Sequence, residues 1–171
     1  GIDIHEVVDA ASTKPFGFSR FDPGPGLGGH CIPVDPWYFA WAASRAGHPS
    51  RFVELAGEIN TQMPRHVVNA VASILAQDAK DLDGSSVLVL GVAYKKNVGD
   101  VRETPAAPIV EDLQERGAQV QYHDPLVPNF PKMRRHDLGL HSVPLTEQVV
   151  RDADVVLIVT DHDAIDYSLV A

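Results

Sequence analysis

The chain has 171 residues, 44% hydrophobic and 22% charged, a balance that makes a globular protein with room for one full core or two small ones. With 14 basic residues against 23 acidic ones the formal charge is −9, which repels polyanions and excludes nucleic acid as a partner unless the few cations cluster. One cysteine excludes an internal disulfide, and no apolar run approaches the roughly 18 residues of a membrane span, so a cytoplasmic protein with no membrane partner is expected. Gly1-Ile2-Asp3 has neither a basic n-region nor an initiator methionine, so sequence upstream of it is expected as well.

Ile4, Val7, Val8 and Ala11 recur at helical spacing, after which the prolines and glycines of residues 15–26 forbid regular structure and predict a long loop from Ser12 to Val34. Asp35 as N-cap with Pro36 at the first helical position opens an apolar helix through Trp37, Phe39, Ala40, Trp41 and Ala43, which Gly47 stops. A further helical face runs from Phe52, Leu55 and Ile59 to Val67, Val68, Val71, Ile74 and Leu75, with Pro64 expected to kink or split it. At Leu82-Asp83-Gly84 the period changes. Val87 to Leu90 reads as a buried parallel strand, Thr104-Pro105 as the start of a helix ending at Gly117, and Val120 with Tyr122 as a second strand. Val155 to Val159 gives another buried strand, Pro128 to His141 is loop, turn or short strand, and Ile165 to Ala171 begins an unfinished element. The fold class is therefore α/β: residues 1–83 form a helical segment, and residues 84–171 form a Rossmann-like parallel sheet that stops short of completion.

Gly24-Pro25-Gly26-Leu27-Gly28-Gly29 satisfies G-x-G-x-x-G, but it follows Pro23 and precedes Pro33, so the strand-turn-helix context of a dinucleotide fingerprint is missing. Glycines at Gly24, Gly26, Gly28 and Gly29 instead allow close approach of backbone N–H groups to a ligand, or simply a flexible loop. His30 and Cys31 follow directly. A thiol just ahead of a helix N-terminus is favoured as thiolate by the backbone dipoles, although a lone cysteine can equally be an inert buried side chain. Asp35, four residues on, caps the helix and can also orient water at a thioester.

Ligands of doubly wound sheets sit beyond the carboxyl ends of the strands, which here points to the loop Gly91–Glu103. It concentrates Tyr94, Lys95, Lys96, Asn97 and Arg102, three of them cations, where a phosphate or uracil would lie. Asp124, ending the second strand, reads as a ribose contact or as a turn former before Pro125.

Pro23 to Pro36 (PGPGLGGHCIPVDP) and Leu90 to Glu103 (LGVAYKKNVGDVRE), with Arg51 to Asn60 between them and Tyr122-His123-Asp124-Pro125 after, resemble the two signatures of the UDP-glucose/GDP-mannose dehydrogenase family. The stretch GGHCIPVDP is most similar to members acting on UDP-N-acetylhexosamines, UDP-N-acetylglucosamine 6-dehydrogenase above all, since UDP-glucose members typically carry lysine where Val34 stands. The resemblance implies NAD-dependent four-electron oxidation of a UDP-sugar C6 alcohol to a uronic acid, in the synthesis of cell-surface polysaccharide precursors. An aldehyde would be captured by Cys31 as a thiohemiacetal, a second NAD would take another hydride, and the resulting thioester would be hydrolysed with Asp35 assisting. It further implies that the Asp22 to Gly28 backbone, including Gly24 and Gly26, holds the nucleotide sugar. Tyr94 and Lys95 would contact that ligand, and Arg102 would lie near the cofactor. The helical segment would pair subunits as a homodimer or larger homo-oligomer. The family's NAD-binding domain and the helix with its catalytic lysine and asparagine have no counterpart in these residues, and no arginine among Lys14, Phe16 and Arg20 matches the one a neighbouring subunit usually supplies. The chain alone is expected to be inactive. Two alternatives stand beside this reading: a non-catalytic nucleotide-binding or regulatory module, and a metal enzyme using His5, His30, Cys31 and His48, for which no ligand spacing argues.

Overall fold

The computed structural model describes residues 1–170. Helix α1 (Ile4–Ser12) starts on Asp3, whose carboxylate accepts the His5 N–H, and none of its residues is buried. No helix or strand interrupts the loop from there to α2 (Asp35–Arg45), which ends at Gly47. Gly47 stands at φ 83°, and the His48 N–H returns to the Ala43 carbonyl at 2.9 Å, the closure that a glycine just past a helix end permits.

Helix α3 (Arg51–Gln77) runs unbroken for 27 residues, so the expected split at Pro64 does not occur. Proline removes one donor and leaves the Asn60 carbonyl without its helical partner, but the turns beyond are held by tertiary packing of Val68, Val71 and Leu75. The deprived carbonyl faces Gly26 of the preceding loop.

Three parallel strands follow, β1 (Ser86–Leu90), β2 (Gln119–His123) and β3 (Val155–Ile158), in the order β2-β1-β3. Helix α4 (Ala106–Glu115) joins β1 to β2 and begins one residue later than the sequence suggests. Thr104 nevertheless serves its start: its hydroxyl accepts the Ala106 N–H at 3.2 Å and donates to the Val92 carbonyl at 2.9 Å. Gly117 closes α4, with Ala118 N–H on the Leu113 carbonyl.

Alternation along β1 divides the core. Val87 and Val89 join Ile109, Val110 and Leu113 of α4 and the second half of α3 on one face. Leu88 and Leu90 meet Ile165 and the apolar side chains around α5 (Glu147–Arg151) on the other. The centre strand is thus covered on both faces, as its continuous apolar run requires. Residues 128–141 contain only an isolated bridge between Asn129 and His141, and the final element among the described residues is a 3-10 turn, Tyr167–Leu169. Ala171, the end of that expected element, lies outside the described residues.

Tyr122 of β2 is fully buried, and its hydroxyl donates to the Val127 carbonyl at 3.0 Å. Burial, reinforced by the nearby Asp124 charge, pushes its pKa up to about 12. The folded state therefore holds this proton more tightly than the unfolded one. The stability it confers is complete below the ordinary tyrosine range, about 10, and is lost as pH rises from there through about 12. Denaturant titrations of wild type and Tyr122→Phe across that window should show the alkaline decline flattened in the variant. Parallel declines would mean that other groups control it.

Candidate functional site

The two sequence signatures meet. Gly28 is so close to the loop after β1 that a Cβ there would stand 2.5 Å from the Tyr94 Cβ and 2.9 Å from the Glu103 carbonyl. Gly29, at φ 97°, lies against the Tyr94 ring, and its N–H donates to the Arg102 carbonyl at 2.8 Å. Two residues earlier the Leu27 N–H donates to Asn60 Oδ1 at 2.8 Å, tying the loop to α3. Gly26, at φ 137°, packs against Pro105 at the start of α4.

This anchorage delivers Cys31 to the start of α2 with an exposed thiol. The Cys31 carbonyl accepts the N–H groups of Val34 (3.0 Å) and Asp35 (2.8 Å), so the residue forms the turn that leads into the helix. Asp35 is the first residue of α2 rather than its cap. Val34 occupies the cap position in a helical conformation, and no side chain caps that end. The reason is the extra turn begun at Cys31, which already takes up the first free N–H groups. Freed from capping, the Asp35 carboxylate has no hydrogen-bond or ion-pair partner among the described residues. With Cys31, Phe39 and Val53 it lines an open hollow of about 430 Å³.

A second hollow of about 650 Å³ shares Asp35 and is bordered by His30, Tyr38, Arg102 and Arg134. Arg102 is held there by Asp100, with its Nε 2.8 Å from Asp100 Oδ2. That pairing raises the guanidinium pKa, with smaller contributions from charge on Tyr94 and Cys31, and lowers that of Asp100. Strand order changes direction at β1, and a third hollow of about 460 Å³ opens where the carboxyl end of β3 meets Pro23, Gly24 and Pro25. The glycine loop therefore runs from the crevice at the sheet edge to the sulfur.

Three features differ from the sequence expectation. The cation cluster is largely neutralised: Lys96 is bound by Asp161 and Asp163, which raises its pKa, and Arg102 by Asp100. Lys95 alone of the three makes no ion pair among the described residues. Of its two readings Asp124 takes the turn former and not the ribose contact, being buried and committed. Its Oδ2 accepts the N–H groups of Val92 (2.7 Å) and Ala93 (3.2 Å), and its Oδ1 those of Leu126 (2.8 Å) and Val127 (3.0 Å). Asp22 forms a two-point pair with Arg20, which also holds Asp9 and lowers the Asp22 pKa. His5, His30, Cys31 and His48 do not assemble, and among the described residues no group of three potential metal ligands does. Sequence reasoning missed Asn60, Arg134 and the Thr160–Asp163 segment. The last of these was within reach, since the rule that singled out the loop after β1 applies equally to the loop after β3.

Comparison with known proteins bears on this geometry. Residues 1–62 match the UDP-glucose/GDP-mannose dehydrogenase family, central domain, and residues 88–170 match the same family's UDP binding domain. The chain belongs to the UDP-glucose/GDP-mannose dehydrogenase family. The UDP-N-acetyl-D-mannosamine dehydrogenase of Methanocaldococcus jannaschii is 31% identical over 163 residues, 95% of this chain and 34% of that protein. The solved NDP-N-acetyl-D-galactosaminuronic acid dehydrogenase of Methanosarcina mazei superposes with TM-score 0.81 at 31% identity, over 96% of this chain and 35% of that one. The UDP-D-ManNAc dehydrogenase of Pyrococcus horikoshii gives 0.79 at 27%, over 98% and 37%. The chain spans about a third of the length of the curated relatives it matches. In family terms, the helices of the central-domain match and the sheet of the UDP-binding match are joined through α3, and the Cys31 loop lies across the join.

The contact at Gly28 should be intolerant of added volume. Gly28→Ala is expected to lower stability by about 1–3 kcal/mol and to change the rate at which iodoacetamide alkylates Cys31. Gly24→Ala, with open space around it, should do neither. Equal responses from the two variants would show that the loops are not braced at Gly28.

Proposed function

We propose that this chain is the nucleophile-bearing and UDP-binding part of an NAD-dependent nucleotide-sugar 6-dehydrogenase, which oxidises the C6 alcohol of a UDP-N-acetylhexosamine or UDP-glucose to the uronic acid for cell-surface polysaccharide precursors. Residues 1–83 are then the latter part of the helical central domain and residues 84–171 the UDP domain. The observation that carries the reading is the exposed Cys31 thiol at the end of a glycine loop seated on Tyr94, beside an unpartnered Asp35. The names of the relatives, UDP-sugar dehydrogenases, agree with it.

In this reading the UDP moiety occupies the crevice at the carboxyl end of β3, held by the backbone of Asp22 to Gly28, including Gly24 and Gly26, with Tyr94 and Lys95 closing on it. The sugar then extends along the loop toward Cys31. The hollow around Arg102 suits one side of a dinucleotide, because Arg102 and Arg134 stand at its border with Asp35. NAD, when bound there, supplies the hydride acceptor for both oxidations. Cys31 adds through sulfur to the aldehyde carbon, and the carbonyl electron pair moves to oxygen, which takes a proton. After oxidation to the thioester, water activated by Asp35 attacks the same carbon and Cys31 leaves as thiolate. A nucleophile that must stay reduced, and a reaction that consumes NAD, both suit the cytoplasm. Phe52, Leu55 and Ile59, all exposed on α3, suit pairing with a second copy.

The test uses the protein expressed from its complete gene. Cys31→Ala should abolish uronic acid formation while UDP-sugar still binds. Asp35→Asn should slow turnover by about 10²–10⁴-fold and accumulate a covalent sugar adduct visible by intact mass. A Cys31→Ala enzyme that turns over normally would refute the proposal.

A further inference from the structure

The segment after β3, Thr160 to Asp163, grips the loop after β1. Thr160 Oγ1 donates to the Ala93 carbonyl at 2.6 Å, and Asp161 and Asp163 hold Lys96. The Asp163 N–H donates to Asn97 Oδ1 at 3.0 Å, and Asn97 Nδ2 donates to Asp163 Oδ2 at 2.7 Å. Within this grip His162 is fully buried. Its Nδ1 accepts the Asn97 N–H at 2.9 Å, and its Nε2 stands 3.2 Å from Asp124 Oδ2. A ring nitrogen that accepts an amide proton carries none of its own, so the single ring proton lies on Nε2 and is donated to Asp124. Asn97 sits at φ 61°, a left-handed conformation that asparagine adopts more readily than most residues, and its bonds to His162 and Asp163 hold it there.

We infer that His162 is a positioning residue for nucleotide-sugar binding, acting as a latch on the loop that presents Tyr94 and Lys95, and that a second proton on its ring opens the latch. The inference rests on the UDP-binding reading above. Protonation at Nδ1 turns the acceptor into a donor that faces the Asn97 N–H, and the two repel. The charged and titratable groups of the surrounding elements are Asp124 at the end of β2, 3.2 Å from the ring, Asp161 and Asp163 beside it in sequence, Lys96 on the gripped loop, which those two hold, and Tyr167 on the 3-10 turn, near the same carboxylates. Asp124 cannot move with the ring, because four backbone N–H groups hold it. The strain therefore falls on the loop.

The decisive comparison is His162→Asn, whose side-chain oxygen can accept the Asn97 N–H but cannot titrate, against His162→Ala, which offers no acceptor. UDP-N-acetylglucosamine is the probe, bound calorimetrically without NAD to the protein expressed from its complete gene, at about pH 5.5 and pH 8. Wild type should lose about tenfold in affinity at the lower pH. His162→Asn should bind like wild type at the higher pH and lose less than about twofold on acidification, whereas His162→Ala should bind about tenfold more weakly at both. An acid loss undiminished in His162→Asn, or a His162→Ala variant with wild-type affinity, overturns the inference. Should wild type bind no UDP-sugar at all, the proposed function fails, and the latch is judged separately by amide exchange of Asn97 in unmutated protein. Exchange that accelerates on acidification beyond its intrinsic rate supports the latch, and unaccelerated exchange overturns it.

Discussion

Close backbone packing at Gly28 and Gly29 is the constraint on which the candidate site rests. The stretch from Thr13 to Val34 has no helix or strand of its own, so the thiol it carries is positioned only by what the loop touches. It touches Tyr94, Glu103, the Arg102 carbonyl and Asn60, residues far away in sequence and rigidly mounted on the sheet or on α3. The absence of two Cβ atoms lets main chain lie on main chain, and a single turn of backbone hydrogen bonds then carries Cys31 into α2. Pro64 takes part at one remove: by depriving the Asn60 carbonyl of its helical donor, it leaves a polar group facing the loop at Gly26.

The sheet supplies the rigid frame. Its middle strand is packed on both faces, and the loops at its carboxyl edge are cross-linked to one another rather than left to solvent. Asp124 gathers four N–H groups from two loops and a fifth contact from His162, while the acidic residues after β3 neutralise Lys96. Positive charge available to a diphosphate is correspondingly sparse. In a chain of net charge −9, attraction for the ligand must come chiefly from Lys95, from backbone N–H groups and from Arg134 at the border of the hollow that Asp35 shares.

Much of this was legible in the sequence because it depends on local patterns. Two of the strands lie where short apolar runs sit between turn residues and the third where Val120 and Tyr122 alternate with polar residues, the helix stops fall at Gly47 and Gly117, and Cys31 is exposed between a glycine loop and a helix. What escaped depends on distant partners. Asp35 reads as a cap until the turn at Cys31 is seen to use the N–H groups first. The lysine and arginine cluster reads as positive until Asp161, Asp163 and Asp100 are folded onto it. Asp124 reads as a ribose contact or a turn former; its bonds to Leu126 and Val127 fit the turn, while those to Val92 and Ala93, about thirty positions earlier, no periodicity announces.

A last consequence concerns which substitutions the protein can absorb. The Trp37 ring lies so tightly over Gly57 that an added side chain there would have to displace it. Gly57 has no reactive atom, yet a replacement would disturb the packing of α3 against the helix that follows the sulfur. Tolerance to random mutation should therefore be poorest at inert positions such as this one. A screen scored only by chemical functionality would overlook them.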